Sequence, residues 1–93
     1  MIHLPTYQAQ FELHKTCVLI PTYNNASSLA AVIEDVLTYT QNIILVNDGS
    51  TDDTPAILDR YPAVKVVGYP KNRGKSWALR QGFAAARKSG YTN

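Results

Sequence analysis

Cysteine is almost absent from this sequence: Cys17 is the only one in 93 residues. No internal disulfide can form, and thiolate metal clusters are excluded. That favours a reducing, cytoplasmic setting. Long apolar runs are absent too. Cys17 to Ile20 and Ile43 to Val46 are the longest clean ones, far short of the ~20 residues of a membrane helix. Residues 1–15 contain no apolar segment preceded by basic residues, so no secretory signal is visible. Acids are missing from the last third. Residues 60–93 hold eight Lys and Arg and no Asp or Glu, whereas residues 1–59 hold all seven acids and only one base, Lys15. Net charge is nevertheless only +2. A segment without acids suits a surface that meets anions, or a solvated surface whose acidic partners lie elsewhere.

What is present is enough for one small domain. The chain is 45% apolar, which rules out a disordered composition. Residues 1–15 show no clear periodicity and read as a lead-in or an extra short element. From Thr16 the pattern becomes regular. Cys17-Val18-Leu19-Ile20 suits a strand buried on both faces and ends at Pro21, which cannot donate to a ladder. Ser27 and Ser28 are good N-cap residues, followed by Leu29, Val32, Ile33, Val36 and Leu37 at helical spacing. Ile43 to Val46 is a second buried strand. After the turn cluster Asn47 to Asp52, a helix with Pro55 in its first turn presents Ile57, Leu58 and Tyr61 on one face and stops at Pro62. Val64, Val66 and Val67 read as a third strand ending at Gly68. A last helix carries Trp77, Ala78, Phe83, Ala84 and Arg87, with Gly90 as its stop signal; Trp77 and Phe83 are expected in the core. Strand and helix alternate three times, which predicts an α/β fold with a mostly parallel, Rossmann-like sheet in three layers. In the usual doubly wound order, the strand after the last helix would pair with the other side of the first. Without it the first strand keeps an open edge, a surface for self-association.

Open parallel sheets bind ligands outside the carboxyl ends of their strands, so three loops carry the functional expectation. Pro21-Thr22-Tyr23-Asn24-Asn25 offers a hydroxyl, an aromatic face and amides, which can stack on a base and read its edge. Asn47-Asp48-Gly49-Ser50 places a carboxylate at a strand end, able to accept a base N–H or hold a ribose hydroxyl. Asp52 is read as a turn and capping residue. Lys71-Asn72-Arg73-Gly74-Lys75-Ser76 sets cations and a glycine where free helix N–H groups point outward, a diphosphate or nucleotide-contact site. Each loop also has a plain reading as a turn or a solvated basic loop. Walker A spacing and the G-x-G-x-x-G fingerprint are both absent. His3 and His14 have no partner motif and are expected to be structural or exposed. Tyr39, Tyr69 and Tyr91 carry no signal separable from packing.

Three segments in order are more specific than any one: I-P-T-Y-N-N, V-N-D-G-S-T-D-D-T and N-R-G-K-S-W-A-L-R-Q-G-F. Their order and spacing resemble family two of the glycosyltransferases, with the GT-A fold, and its dolichyl-phosphate mannose synthase-like members in particular. The resemblance covers about residues 16–93 and makes residues 1–15 the lead-in. It implies that Pro21, Thr22, Tyr23 and Asn25 line the base pocket, that Asp48 is the base-binding aspartate, and that Arg73, Gly74 and Lys75 lie near the nucleotide. Asn25 and Asn47 stand where many members carry an acidic residue. The family transfers a sugar from a UDP- or GDP-sugar, here expected with inversion, to an acceptor that is a lipid phosphate, a glycan or a protein. It implies Mg²⁺ or Mn²⁺ held by a D-x-D motif after a fourth strand, and a carboxylate base further on. Neither lies within residues 1–93. The expectation is therefore the nucleotide-binding part of a truncated domain, inactive in isolation, with no catalytic or metal-binding residue of its own. Peripheral membrane association at the inner face is compatible with it, and no nucleic acid partner is expected. The rival is a non-catalytic paralogue that binds nucleotide or a partner only. A sugar nucleotidyltransferase would show a Gly-rich basic loop after the first strand, which Pro21 to Asn25 lacks.

Overall fold

The computed structural model describes residues 7–93. His3 and the first six residues of the expected lead-in lie outside the described residues. The described elements are α1 (Tyr7–Leu13), β1 (Val18–Thr22), α2 (Ala26–Leu37), β2 (Ile43–Asp48), α3 (Thr54–Leu58), β3 (Lys65–Tyr69) and α4 (Lys75–Lys88). The strands form one parallel sheet in the order β1-β2-β3. The α/β alternation read from the sequence is the architecture observed.

The central strand carries the core. Ile43, Ile44, Leu45 and Val46 of β2 are all buried, as expected for a strand covered on both faces. Alternation sends Ile43 and Leu45 to one face, where they pack with Leu29 and Ile33 of α2 and with Leu58 and Val64. Ile44 and Val46 turn to the other face, towards α4. Helix α4 can lie close because its inward residues are small. Ala78 is buried, and a Cβ on Gly82 would come within 2.3 Å of Leu19 Cδ1.

Several expectations shift. Pro21 does not end the first strand, and β1 runs on to Thr22. The Val18 N–H donates to Asn42 O on the β2 side, so alternation turns the Pro21 nitrogen away from β2, where no ladder bond is lost. Helix α2 begins at Ala26 with Asn25 as its N-cap residue; Ser27 and Ser28 fall inside the first turn, with the Ser28 hydroxyl donating to Asn25 Oδ1. Val32 lies off the buried face and is 40% exposed. The third strand is shifted by one residue, from Lys65 to Tyr69, and leaves Val64 as a core residue just before it. Trp77 and Phe83 are not core: they are 39% and 57% exposed, because Ala78 and Gly82 occupy the face of α4 that meets the sheet.

The segment before β1 holds a helix where the sequence shows no periodicity. Gln8 anchors α1: its Oε1 accepts from the Thr40 hydroxyl (2.6 Å) and the Gln41 amide (2.7 Å), and its Nε2 donates to Asn42 Oδ1. Tyr7 meets Tyr39 edge to face at 5.0 Å. His14 is exposed. After α4 the backbone returns to the outer side of β1. The Thr92 and Asn93 N–H groups donate to Lys15 O, and the Cys17 N–H donates to Asn93 O. That exchange on either side of Thr16 is the bonding pattern of a parallel ladder. It lies on the side of β1 that β2 does not occupy.

Candidate functional site

The carboxyl ends of all three strands point to the same end of the sheet, and the three expected loops meet there. The first two are joined by polar side chains. The Asn24 N–H donates to Ser50 Oγ (3.0 Å), and the Thr51 N–H donates to Asn24 Oδ1 (2.8 Å). Asn24 holds this position with φ +47, a conformation that short polar side chains tolerate. Asp52 links two helix starts. Its Oδ2 accepts the Ala26 N–H of α2, and its Oδ1 accepts both the Thr54 N–H and hydroxyl of α3. The Thr54 hydroxyl first, and then the backbone amides, hold its carboxyl below the ordinary range. This is the turn and capping role expected of it.

The second and third loops are joined through Asp48, which is only 4% exposed. Its Oδ1 accepts the Arg73 N–H at 2.9 Å. Its Oδ2 accepts the Gly74 N–H at 3.0 Å and Asn72 Nδ2 at 2.8 Å. The same Asn72 nitrogen reaches the Asp48 carbonyl at 3.0 Å. Burial would raise the Asp48 carboxyl, but the neighbouring Tyr69 hydroxyl and the Arg73 and Gly74 amides outweigh it, and the group is held below the usual carboxylate range. Tyr69 shows the reverse. Burial and then the Asp48 charge push its hydroxyl up to about 12. That hydroxyl lies beside Asp48 without the geometry of a well-formed hydrogen bond. Gly49 makes the approach of the loops possible. Its φ is +70, and a Cβ there would sit 2.2 Å from the Asn72 backbone nitrogen.

Above this junction lies a cavity of about 500 Å³ lined by Pro21, Tyr23, Asp48, Asn72, Gly74, Lys75 and Ala78. Five expected site residues therefore converge from three loops. Tyr23 is 50% exposed, so its ring is free to take a flat partner. Gly74 (φ +94) is the N-cap residue of α4 and carries no side-chain cap, so the first-turn N–H groups open beside Lys75. The other three expected residues stand on the same loops but do not line the cavity. Thr22 is buried, and its hydroxyl has no hydrogen-bond partner. Asn25 begins α2. Arg73 lies over the Trp77 ring at 5.4 Å. Sequence reasoning missed Asn72, Tyr69 and Ala78. Nothing in a six-residue polar loop separates Asn72 from an ordinary turn residue.

A second cavity of about 340 Å³ lies where the outer side of β1 meets α4, with Cys17, Leu19, Phe83, Ala86 and Tyr91 among its lining residues. Burial raises the Cys17 thiol. This groove is mostly apolar and away from the carboxyl ends, so it lacks the converging polar groups of a ligand site. Among the described residues, no group of three or more His, Cys, Asp or Glu could hold a metal ion. The main cavity does not fit a divalent cation either. Asp48 is its one carboxylate, and three N–H donors already occupy it. Among the described residues no helix is long and apolar enough to cross a membrane.

Comparison with known proteins places these loops in context. The family model described as Glycosyl transferase family 2 matches residues 17–91. A dolichyl-phosphate beta-glucosyltransferase of Trichomonas vaginalis is 31% identical over 101 residues, covering 92% of this chain and 30% of that protein. The human dolichyl-phosphate beta-glucosyltransferase is 31% identical over 87 residues, covering 75% of this chain and 27% of that protein. An uncharacterized glycosyltransferase of Escherichia coli, YaiP, is 36% identical over 92 residues, covering 86% and 22%. The chain thus spans less than a third of the length of these relatives.

Proposed function

The chain belongs to glycosyl transferase family 2, and on that premise we propose that its three loops bind the nucleotide of a nucleotide-sugar donor. One observation carries the reading: Pro21, Tyr23, Asp48, Gly74 and Lys75 come from three loops and line one cavity at the carboxyl end of the sheet. In this reading the base stacks on Tyr23 over Pro21. Asp48 is the polar reader. Its Oδ1 takes one internal N–H donor and its Oδ2 takes two, so Oδ1 is the oxygen proposed to accept a base N–H, with the Tyr69 hydroxyl beside the carboxylate. The diphosphate lies towards Lys75 and the uncapped start of α4, where positive charge and free N–H groups favour an anion. Thr22, Asn25 and Arg73 complete the proposed set by framing the first and third loops.

The complete protein would then transfer a sugar from a UDP- or GDP-sugar, with inversion, and the family's Mg²⁺ or Mn²⁺ would be held by carboxylates other than those of this cavity. No metal-dependent step falls to the residues described. Relatives named dolichyl-phosphate beta-glucosyltransferases favour a lipid phosphate as acceptor over a glycan or a protein. A cytoplasmic site of action with peripheral attachment to the inner face of a membrane is consistent with that acceptor. Self-association along the outer side of β1 is a separate proposal, motivated by the apolar groove there. The test of the site is calorimetric titration of the chain with UDP, GDP and their sugars, alongside Asp48→Ala. Binding by the parent and at least a tenfold weaker response in the variant are expected. Equal binding by both would sink the base-pocket assignment. The 93 residues alone are expected to show no sugar transfer.

A further inference from the structure

We propose that the outward face of α4 docks the protein on a membrane surface that carries anionic lipid; this deepens the peripheral membrane attachment suggested above and rests on that part of the reading, not on nucleotide binding. Ala78 and Gly82 turn one side of α4 towards the sheet. The opposite side follows from helical spacing. Trp77, Arg80, Ala84 and Arg87 recur at alternating steps of three and four residues, which stacks them in one stripe. Arg73 stands just before the helix and extends the stripe, with its guanidinium over the Trp77 ring at 5.4 Å. Arg80 and Arg87 are exposed. Their side chains have no hydrogen bond or ion pair among the described residues. Residues 60–93 contain no Asp or Glu, so neither α4 nor β3 before it supplies a charge that neutralises the stripe.

Charge alone fits any polyanion; the aromatic side chains choose among them. Trp77 is 39% exposed, and Phe83, which also borders the groove beside β1, is 57% exposed. Exposed rings beside arginines are the make-up of a helix that lies in the headgroup layer. There the rings reach the acyl boundary while the guanidinium groups meet lipid phosphates. A single-stranded nucleic acid uses bare rings for stacking on its bases, but Trp77 already has Arg73 over it. The helix is 14 residues long, so its face runs for roughly 20 Å, and a flat anionic surface can meet its cations together. The carboxyl-end cavity takes Gly74, Lys75 and Ala78 from this region and none of the stripe. Docking through the stripe therefore leaves that cavity free.

Trp77 is the one tryptophan of the sequence, so its own fluorescence reports docking. The chain is titrated with vesicles of phosphatidylcholine alone and with vesicles of phosphatidylcholine mixed with phosphatidylserine, at low and at physiological salt. The parent is expected to bind the mixed vesicles with a blue-shifted Trp77 emission, to ignore the neutral ones, and to bind more weakly as salt rises. Arg80→Glu and Arg60→Glu change net charge equally. Arg80 belongs to the stripe, whereas Arg60 is exposed just beyond α3, which packs with α2 on the other side of the sheet. Arg80→Glu should weaken binding about tenfold or more, since each basic residue near such a surface contributes a factor of about five and the new charge repels it. Arg60→Glu should stay within roughly twofold of the parent, because its distance leaves it screened. Parent-like melting temperatures in both variants confirm that each is folded. Equal losses in the two variants, or none in either, would overturn the α4 face and leave membrane attachment standing. A parent that binds no vesicle would overturn both the face and the attachment, and so would a parent that binds a single-stranded oligonucleotide and no vesicle.

Discussion

Two aspartates four residues apart, Asp48 and Asp52, tie the loops of this protein together. Asp52 ties the first loop to the second by accepting N–H groups at the starts of α2 and α3. Asp48 ties the second loop to the third by accepting three donors from Asn72 to Gly74. The chemistry is the same and the surroundings differ. Asp52 is exposed and faces only its own partners; Asp48 is buried and also lines the cavity. A carboxylate with backbone partners is therefore not by itself a sign of function. The difference lies in whether some accepting capacity faces an open volume. By that criterion the Asp48 junction is the proposed site, because it lines the cavity, and the Asp52 junction is a scaffold.

The largest effect should come from breaking the Asp48 junction at its backbone. Gly49→Ala forces a Cβ against the Asn72 nitrogen at a φ that L residues rarely adopt. It should cost about 3 kcal/mol or more, measured as a fall in the denaturant midpoint. A variant within about 0.5 kcal/mol of the parent would mean that the second and third loops are not pinned together. Next comes Asp48→Asn, which keeps shape but turns one acceptor into a donor facing donors; a loss of about 2 kcal/mol is expected. It should also change the acid limb. The Asp48 carboxyl is held below its ordinary value in the fold, so its stabilisation is complete above the unfolded value of about 4 and drains away as pH falls towards the lower folded value. The parent should lose stability over that window, and Asp48→Asn should lose less. An unchanged acid slope would contradict the assignment.

The smallest effect should follow Asp52→Ala. Capping of α2 and α3 weakens and the melting temperature drops slightly, while UDP and GDP affinity stays at the parent value. If Asp52→Ala weakened nucleotide binding as much as Asp48→Ala, the contrast between scaffold and site would collapse.

The sequence makes part of this visible for identifiable reasons. Ile43 to Val46 announces a buried strand because a strand covered on both faces needs continuous apolar residues; Cys17 to Ile20 also announces a strand, but at the edge of the three-stranded sheet β1 is only half-buried and starts at Val18. Glycine at position 49 and the cations at Arg73 and Lys75 mark loops at strand ends, and the order of the three loops identifies the family. Less legible is anything set by contacts distant in sequence. Helix α1 is held by Gln8 against Thr40 and Gln41, more than thirty residues away, and leaves no periodicity to read. Trp77 and Phe83 look like core residues at helical spacing, yet the close approach permitted by Ala78 and Gly82 turns them outward. Pro21 looks like a strand stop because the direction of its nitrogen depends on which side of β1 is paired. Asn72 belongs to the same class, because its partner lies twenty-four residues back.

The central claim is that nucleotide binds at the carboxyl-end cavity and not in the apolar groove between β1 and α4. Backbone amide NMR of the chain titrated with UDP and then GDP tests it directly. Shifts concentrated at Tyr23, Asp48, Gly74 and Lys75, with Cys17, Leu19 and Phe83 unmoved, are the predicted result. Shifts confined to Cys17, Leu19 and Phe83, or none at saturating nucleotide, would contradict it.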